Sequence, residues 1–275
     1  MKRLLNNNII RIVAMFLVIV LLVSGISIMF KKPNSSESSS VVLETPTVKI
    51  ELTAKNGYIS FLGDSITTYD GWSNNASYNS TIGNNGVYYT SSKMPVYKTY
   101  WHRVASALGM GLCVNNSWDG ARVTDTKEGI PDGKTRAAQL HNDVQGIFPD
   151  VIIVNLGTND IANGIDYRTV IEAYSDMLTV IKQNYPNADV YCCGLLQESR
   201  NDDHGDKEKN LTWFNDALYE LCIEQECYFI YNSLPLLNWD YKTDTIVDSN
   251  GLRVHPNTTG MEKLAQAILK FMRGK

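Results

Sequence analysis

The sequence predicts a three-layer α/β/α sandwich around a parallel sheet of about five strands. Two observations carry this. Short, almost continuously apolar runs alternate with longer segments of helical period from residue 57 onward, and that alternation is the pattern of strands buried on both faces by crossover helices. Because the strands of such a sheet run parallel, their carboxyl ends share one rim, where these folds bind and react.

The expected strands are YISFLG (58–63), LCVNN (112–116), VIIVNLG (151–157), DVYCCGLL (189–196) and CYFIYN (227–232). They are rich in β-branched and aromatic residues, which suit a pleated, buried surface. The expected helices are 97–109, 167–186, 208–226 and 257–274. In the second, Val170, Ile171, Tyr174, Leu178 and Ile181 fall on one helical face, and Pro186 stops it. Gly109 closes the first as a C-cap.

Three parts are expected along the chain. Residues 1–32 carry Lys2, Arg3 and Arg11 ahead of an uncharged apolar run, 12–30. That run is long enough to span a hydrocarbon core, longer than a usual signal-peptide core, and is followed by no A-x-A-like cleavage site. These features favour a membrane anchor over a cleaved signal segment, with the following domain outside the cell. Ile26 stands where a lipoprotein would need cysteine. Residues 33–55, rich in Ser, Thr and Pro, read as a flexible linker, and 56–275 as the folded domain.

Composition narrows the class. A hydrophobic fraction of 44% and a charged fraction of 20% are those of a globular core-forming chain. A net charge of -4 offers no basic footprint for nucleic acid. Cys113, Cys192, Cys193, Cys222 and Cys227 are odd in number and irregular in spacing, so they read as small buried hydrophobes, with a Cys222–Cys227 bridge open to an extracellular domain.

Three expected strand ends are unusual. The first runs into Gly63-Asp64-Ser65, the second into CVNNSWDGAR with Gly120, the third into Gly157-Thr158-Asn159-Asp160. Each has an ordinary reading as turn or helix cap. Their shared rim is what suggests chemistry: a hydroxyl there needs a base, and histidine is the usual one near neutral pH. His102 and His141 sit in helical stretches and His204 in an Asp-rich loop, which is at most a weak metal signal. His255, in GLRVHPN before the last helix, is the best candidate.

FLGDSIT, the glycine after the second strand, GTND and the late HPN together resemble the SGNH, or GDSL-type, hydrolases over roughly 57–273. The resemblance implies a flavodoxin-like fold and a carboxylic ester hydrolase that needs no metal or organic cofactor. It implies Ser65 as nucleophile and His255 as base and then acid. The oxyanion hole would be built from the Ser65 and Gly120 N–H groups and the Asn159 side-chain amide. Asp64 and Asp160 are read as structural carboxylates. The family places its triad acid three residues before the histidine, where this chain has Leu252. Asp248 is the expected replacement, with Asp244 or a backbone carbonyl as alternatives.

The long segment 71–101, rich in Asn, Ser and Tyr, would overhang Ser65, and loop 199–208 would face it. Amide and aromatic side chains suit a glycan ester, acetyl above all, although the tyrosines could equally pack the loop onto the sheet. A lipase-like activity near the membrane, or a decayed enzyme that only binds carbohydrate, are the other readings.

Overall fold

A computed structural model of the chain describes residues 52, 54–73, 86–125, 129–201, 206–231 and 238–274. The expected anchor, nearly all of the linker and His204 lie outside the described residues. Among the described residues no helix is long and apolar enough to cross a membrane.

Strands β1 (Tyr58–Gly63), β2 (Gly111–Ser117), β3 (Val151–Asn155), β4 (Asp189–Cys193) and β5 (Tyr228–Ile230) form one parallel sheet in the order β2-β1-β3-β4-β5. Strand residues alternate between faces, and the core divides accordingly. Leu62, Ile152, Val154, Val190 and Cys192 point into one layer, whereas Ile59, Phe61, Ile153, Tyr191 and Cys193 point into the other. The sheet is therefore covered on both sides, as the uninterrupted apolar runs require.

The helices are α1 (Tyr100–Leu108), α2 (Gly133–Ala137), α3 (Thr158–Ala162), α4 (Tyr167–Asn184), α5 (Asp206–Glu224), α6 (Tyr241–Asp244) and α7 (Thr258–Arg273). Helices α2, α4 and α5 cover the first layer and α1 and α7 the second. In α7 the buried residues Met261, Leu264, Ala265 and Ile268 recur at i, i+3, i+4 and i+7, the stripe that docks a helix on a sheet. The Asn257 side chain caps it by accepting from Thr259 N–H and Gly260 N–H.

Each strand starts within one residue of expectation, whereas β3, β4 and β5 end at Asn155, Cys193 and Ile230 rather than at 157, 196 and 232. The short helices α2, α3 and α6 carry no periodic signal of their own because each is about one turn long. All five cysteines are free thiols, and four are buried.

Registers fix the rim. Gly63 pairs with Ser117 on one side and with Asn155 on the other. Below them Arg136, 1% exposed, donates from Nη1 to the carbonyls of Gly63 and Asn116, tying the ends of β1 and β2 to α2. A guanidinium satisfied by backbone carbonyls is costly to bury but rigid once placed.

Candidate active site

Ser65 stands two residues past the end of β1, in a turn where Thr67 N–H donates to the Asp64 carbonyl. Asp64 Oδ1 accepts from Ile66 N–H at 3.0 Å, which shapes this turn. Burial pushes the Asp64 carboxyl up to about 7 despite the Ile66 N–H and the cations of Arg200 and Arg136. The Ser65 carbonyl accepts the Thr68 hydroxyl at 2.9 Å.

His255 reaches this turn from the far end of the chain. Its Nε2 lies 2.8 Å from Ser65 Oγ. The backbone on either side is fixed: Ile246 N–H donates to the His255 carbonyl and Asn257 N–H to that of Asp244. Tyr89 Oη donates to the Pro256 carbonyl at 2.8 Å. Burial first, then the cations of Arg200 and Lys93, push the imidazole down to about 3. It is therefore neutral at pH 7 and able to accept a proton.

Gly120 follows β2 with φ of +75°, a conformation open to glycine. Neither its N–H nor that of Ser65 has a protein acceptor among the described residues, in a rim otherwise dense with backbone hydrogen bonds. Asn159 lies in the first turn of α3, which begins after Gly157 at φ +123°. A Cβ at Gly157 would sit 3.1 Å from Phe214 Cζ, so the sharp exit from β3 needs glycine twice over. Asn159 Nδ2 donates one hydrogen to the Ala121 carbonyl at 2.9 Å and keeps the other.

Asp160 pins the Gly120 loop to α3. Its Oδ2 accepts from Val123 N–H and its Oδ1 from the N–H and hydroxyl of Thr124, the last at 2.6 Å. Both motif aspartates are thus engaged with backbone.

The expectation for the triad acid is not met. Asp248 Oδ1 accepts from the N–H groups of Asn250 and Leu252 and so closes its own turn. Asp244, 2% exposed, holds Lys263 Nζ at 2.7 Å and Asp240 N–H. Among the described residues no carboxylate and no backbone carbonyl bonds His255 Nδ1. A carboxylate four residues before the Leu252 N–H finds that donor locally, and the turn takes it away from the imidazole.

Three contributors escaped sequence reading. Glu198, 2% exposed, accepts Arg200 Nε at 2.6 Å, and Arg200 Nη1 donates to Asn159 Oδ1 at 3.2 Å. Both stand just past the end of β4, on the same rim, which was the available signal. Tyr88 stacks on His255 with ring centroids 3.4 Å apart and planes within 12°. Here the sequence offered only a tyrosine-rich loop. His102 and His141 stay apart from the site: His102 is buried in α1, and His141 bonds Tyr185 and Asp143.

Comparison with known proteins agrees with this geometry. Residues 61–263 match the GDSL-like lipase/acylhydrolase family. The chain belongs to that family of carboxylic ester hydrolases. It is 26% identical over 147 residues to the cellulase/esterase CelE of Acetivibrio thermocellus, covering 49% of this chain and 17% of that protein. The chain thus spans about a sixth of that relative's length. Among solved structures, a GDSL-like lipase from Bacteroides ovatus superposes with a TM-score of 0.56 at 23% identity, over 80% of this chain and 99% of that one. A family two carbohydrate esterase from Clostridium thermocellum, in complex with cellohexaose, gives 0.55 at 20% identity over 81% and 65%. These structural likenesses establish the fold.

Proposed function

We propose that the protein is a serine esterase that removes O-acyl groups, acetyl above all, from carbohydrate. The observation that carries the chemistry is the 2.8 Å contact between His255 Nε2 and Ser65 Oγ, beside the N–H groups of Ser65 and Gly120, which have no acceptor among the described residues. His255 takes the Ser65 proton as Oγ attacks the ester carbonyl. The oxyanion is held by the Ser65 and Gly120 N–H groups and Asn159 Nδ2, donors worth about 10²–10³ in rate each. The C–O bond then breaks, and the imidazolium returns its proton to the leaving alcohol. Water, deprotonated by His255, releases the acid from Ser65.

A glycan substrate is supported by the likeness to CelE and to an esterase crystallised with cellohexaose. The apolar run 12–30 supports a membrane tether that presents the domain outside the cell.

The test compares wild type with Ser65→Ala on p-nitrophenyl acetate, longer acyl esters and acetylated polysaccharides. Preference for acetate and acetate release from glycan are expected, with both lost in Ser65→Ala. Preference for long acyl chains would move the assignment to a lipase.

A further inference from the structure

We propose that Tyr88 is the positioning residue for His255, standing in for the triad acid as the centre of a Lys93–Tyr88–His255 stack. One face of the Tyr88 ring lies on the imidazole, 3.4 Å between centroids. Lys93 Nζ sits over the same ring at 3.2 Å. An imidazole stacked within 12° of a fixed ring cannot turn about its Cβ–Cγ bond without losing the contact. That is the rotation an Nδ1 hydrogen bond blocks in a triad.

Tyr88 is itself tied to the nucleophile. Its N–H donates to Thr68 Oγ1 at 2.9 Å, and the Thr68 hydroxyl donates to the Ser65 carbonyl. The next residue, Tyr89, holds the Pro256 carbonyl and meets His255 edge-on. Two consecutive residues of one loop thus fix the ring and the backbone of the base. Because the imidazole covers one face of Tyr88 and an ammonium stands over the other, the ring serves the base and not a sugar.

The charged surroundings are mixed. Lys93 and Arg200 act on His255, while Asp119 and Asp248 act on Tyr88, and Asp64 acts on Tyr89. Lys93 behind the ring favours the neutral imidazole.

This inference rests on the esterase reading, so its test has two independent readouts. The first is kcat and KM on p-nitrophenyl acetate. The second is NMR titration of the His255 ring, assigned with His255→Asn, which needs no turnover. Tyr88→Phe is expected to stay within about threefold of wild type. Tyr88→Leu should lower kcat by about 10–100-fold with KM nearly constant, as displaced catalytic groups do. It should also raise the His255 titration by about one unit as solvent enters. Lys93→Met should raise that titration, because a cation that disfavours the imidazolium is removed.

Unchanged kcat and ring titration in Tyr88→Leu overturn the proposal, as does a rise in KM alone, which would make Tyr88 a substrate surface. If Tyr88→Leu does not fold, Lys93→Met decides, and an unmoved His255 titration overturns it. If wild type proves inactive while the ring titration still responds to Tyr88 and Lys93, the stack stands and the esterase reading falls.

Discussion

Arg200 Nη1 donates to the Asn159 carboxamide oxygen at 3.2 Å, while Arg200 Nε is held by the buried Glu198 at 2.6 Å. An amide assigned to oxyanion stabilisation is thereby oriented from another strand end. Arg200→Ala should lower kcat on p-nitrophenyl acetate by about 10–100-fold, less than loss of the donor itself. Arg200→Lys should not rescue it, because one ammonium cannot copy a guanidinium fork bonded to two partners. Equal activity of Arg200→Lys and wild type would falsify this orienting role.

Asp248 and Asp244 should behave oppositely. Asp248→Ala is expected to keep kcat within about threefold, since only its own turn loses an acceptor. Asp244→Ala leaves Lys263 uncompensated and should cost about 3 kcal/mol, read as a lower Tm. A loss of activity above about 100-fold in folded Asp248→Ala would return that residue to the triad.

Activity should persist into acid. Protonation of His255 removes the base, so the acid limb of kcat/KM follows its pKa in the free enzyme. With burial, Arg200 and Lys93 all pushing that pKa below 6.5, the limb should lie below about pH 5. A pH profile with its limb near the ordinary histidine value would contradict the burial and cation arrangement described for the ring.

Asp160→Ala should loosen the Gly120 loop. Three donors, the N–H groups of Val123 and Thr124 and the Thr124 hydroxyl, lose their acceptor at once. The expected cost is about 2–4 kcal/mol of stability. Thermal unfolding reads that cost, and kcat should fall in the folded fraction because an oxyanion donor is no longer fixed.

The sheet was legible in the sequence because strands covered on both faces need unbroken apolar runs, and 151–155 or 189–193 satisfy nothing else. Ser65 and Asn159 were legible because they sit immediately after such runs. His255 emerged from the small number of histidines and its place before a capped helix. The acid was misread because proximity in sequence to His255 was taken for proximity in space. Arg200 and Tyr88 act through contacts 41 and 167 positions distant, a relation set by packing at the rim and not by any local pattern.

Ser65 and His255 lie 190 positions apart, although their side chains touch. During synthesis the proposed nucleophile is therefore made long before its proposed base. A growing chain that has not passed residue 255 carries a serine with no proton acceptor, whatever part of the sheet has already formed. Ester cleavage should then report completed folding, because a lesion that displaces the segment carrying His255 takes the proton acceptor away from Ser65.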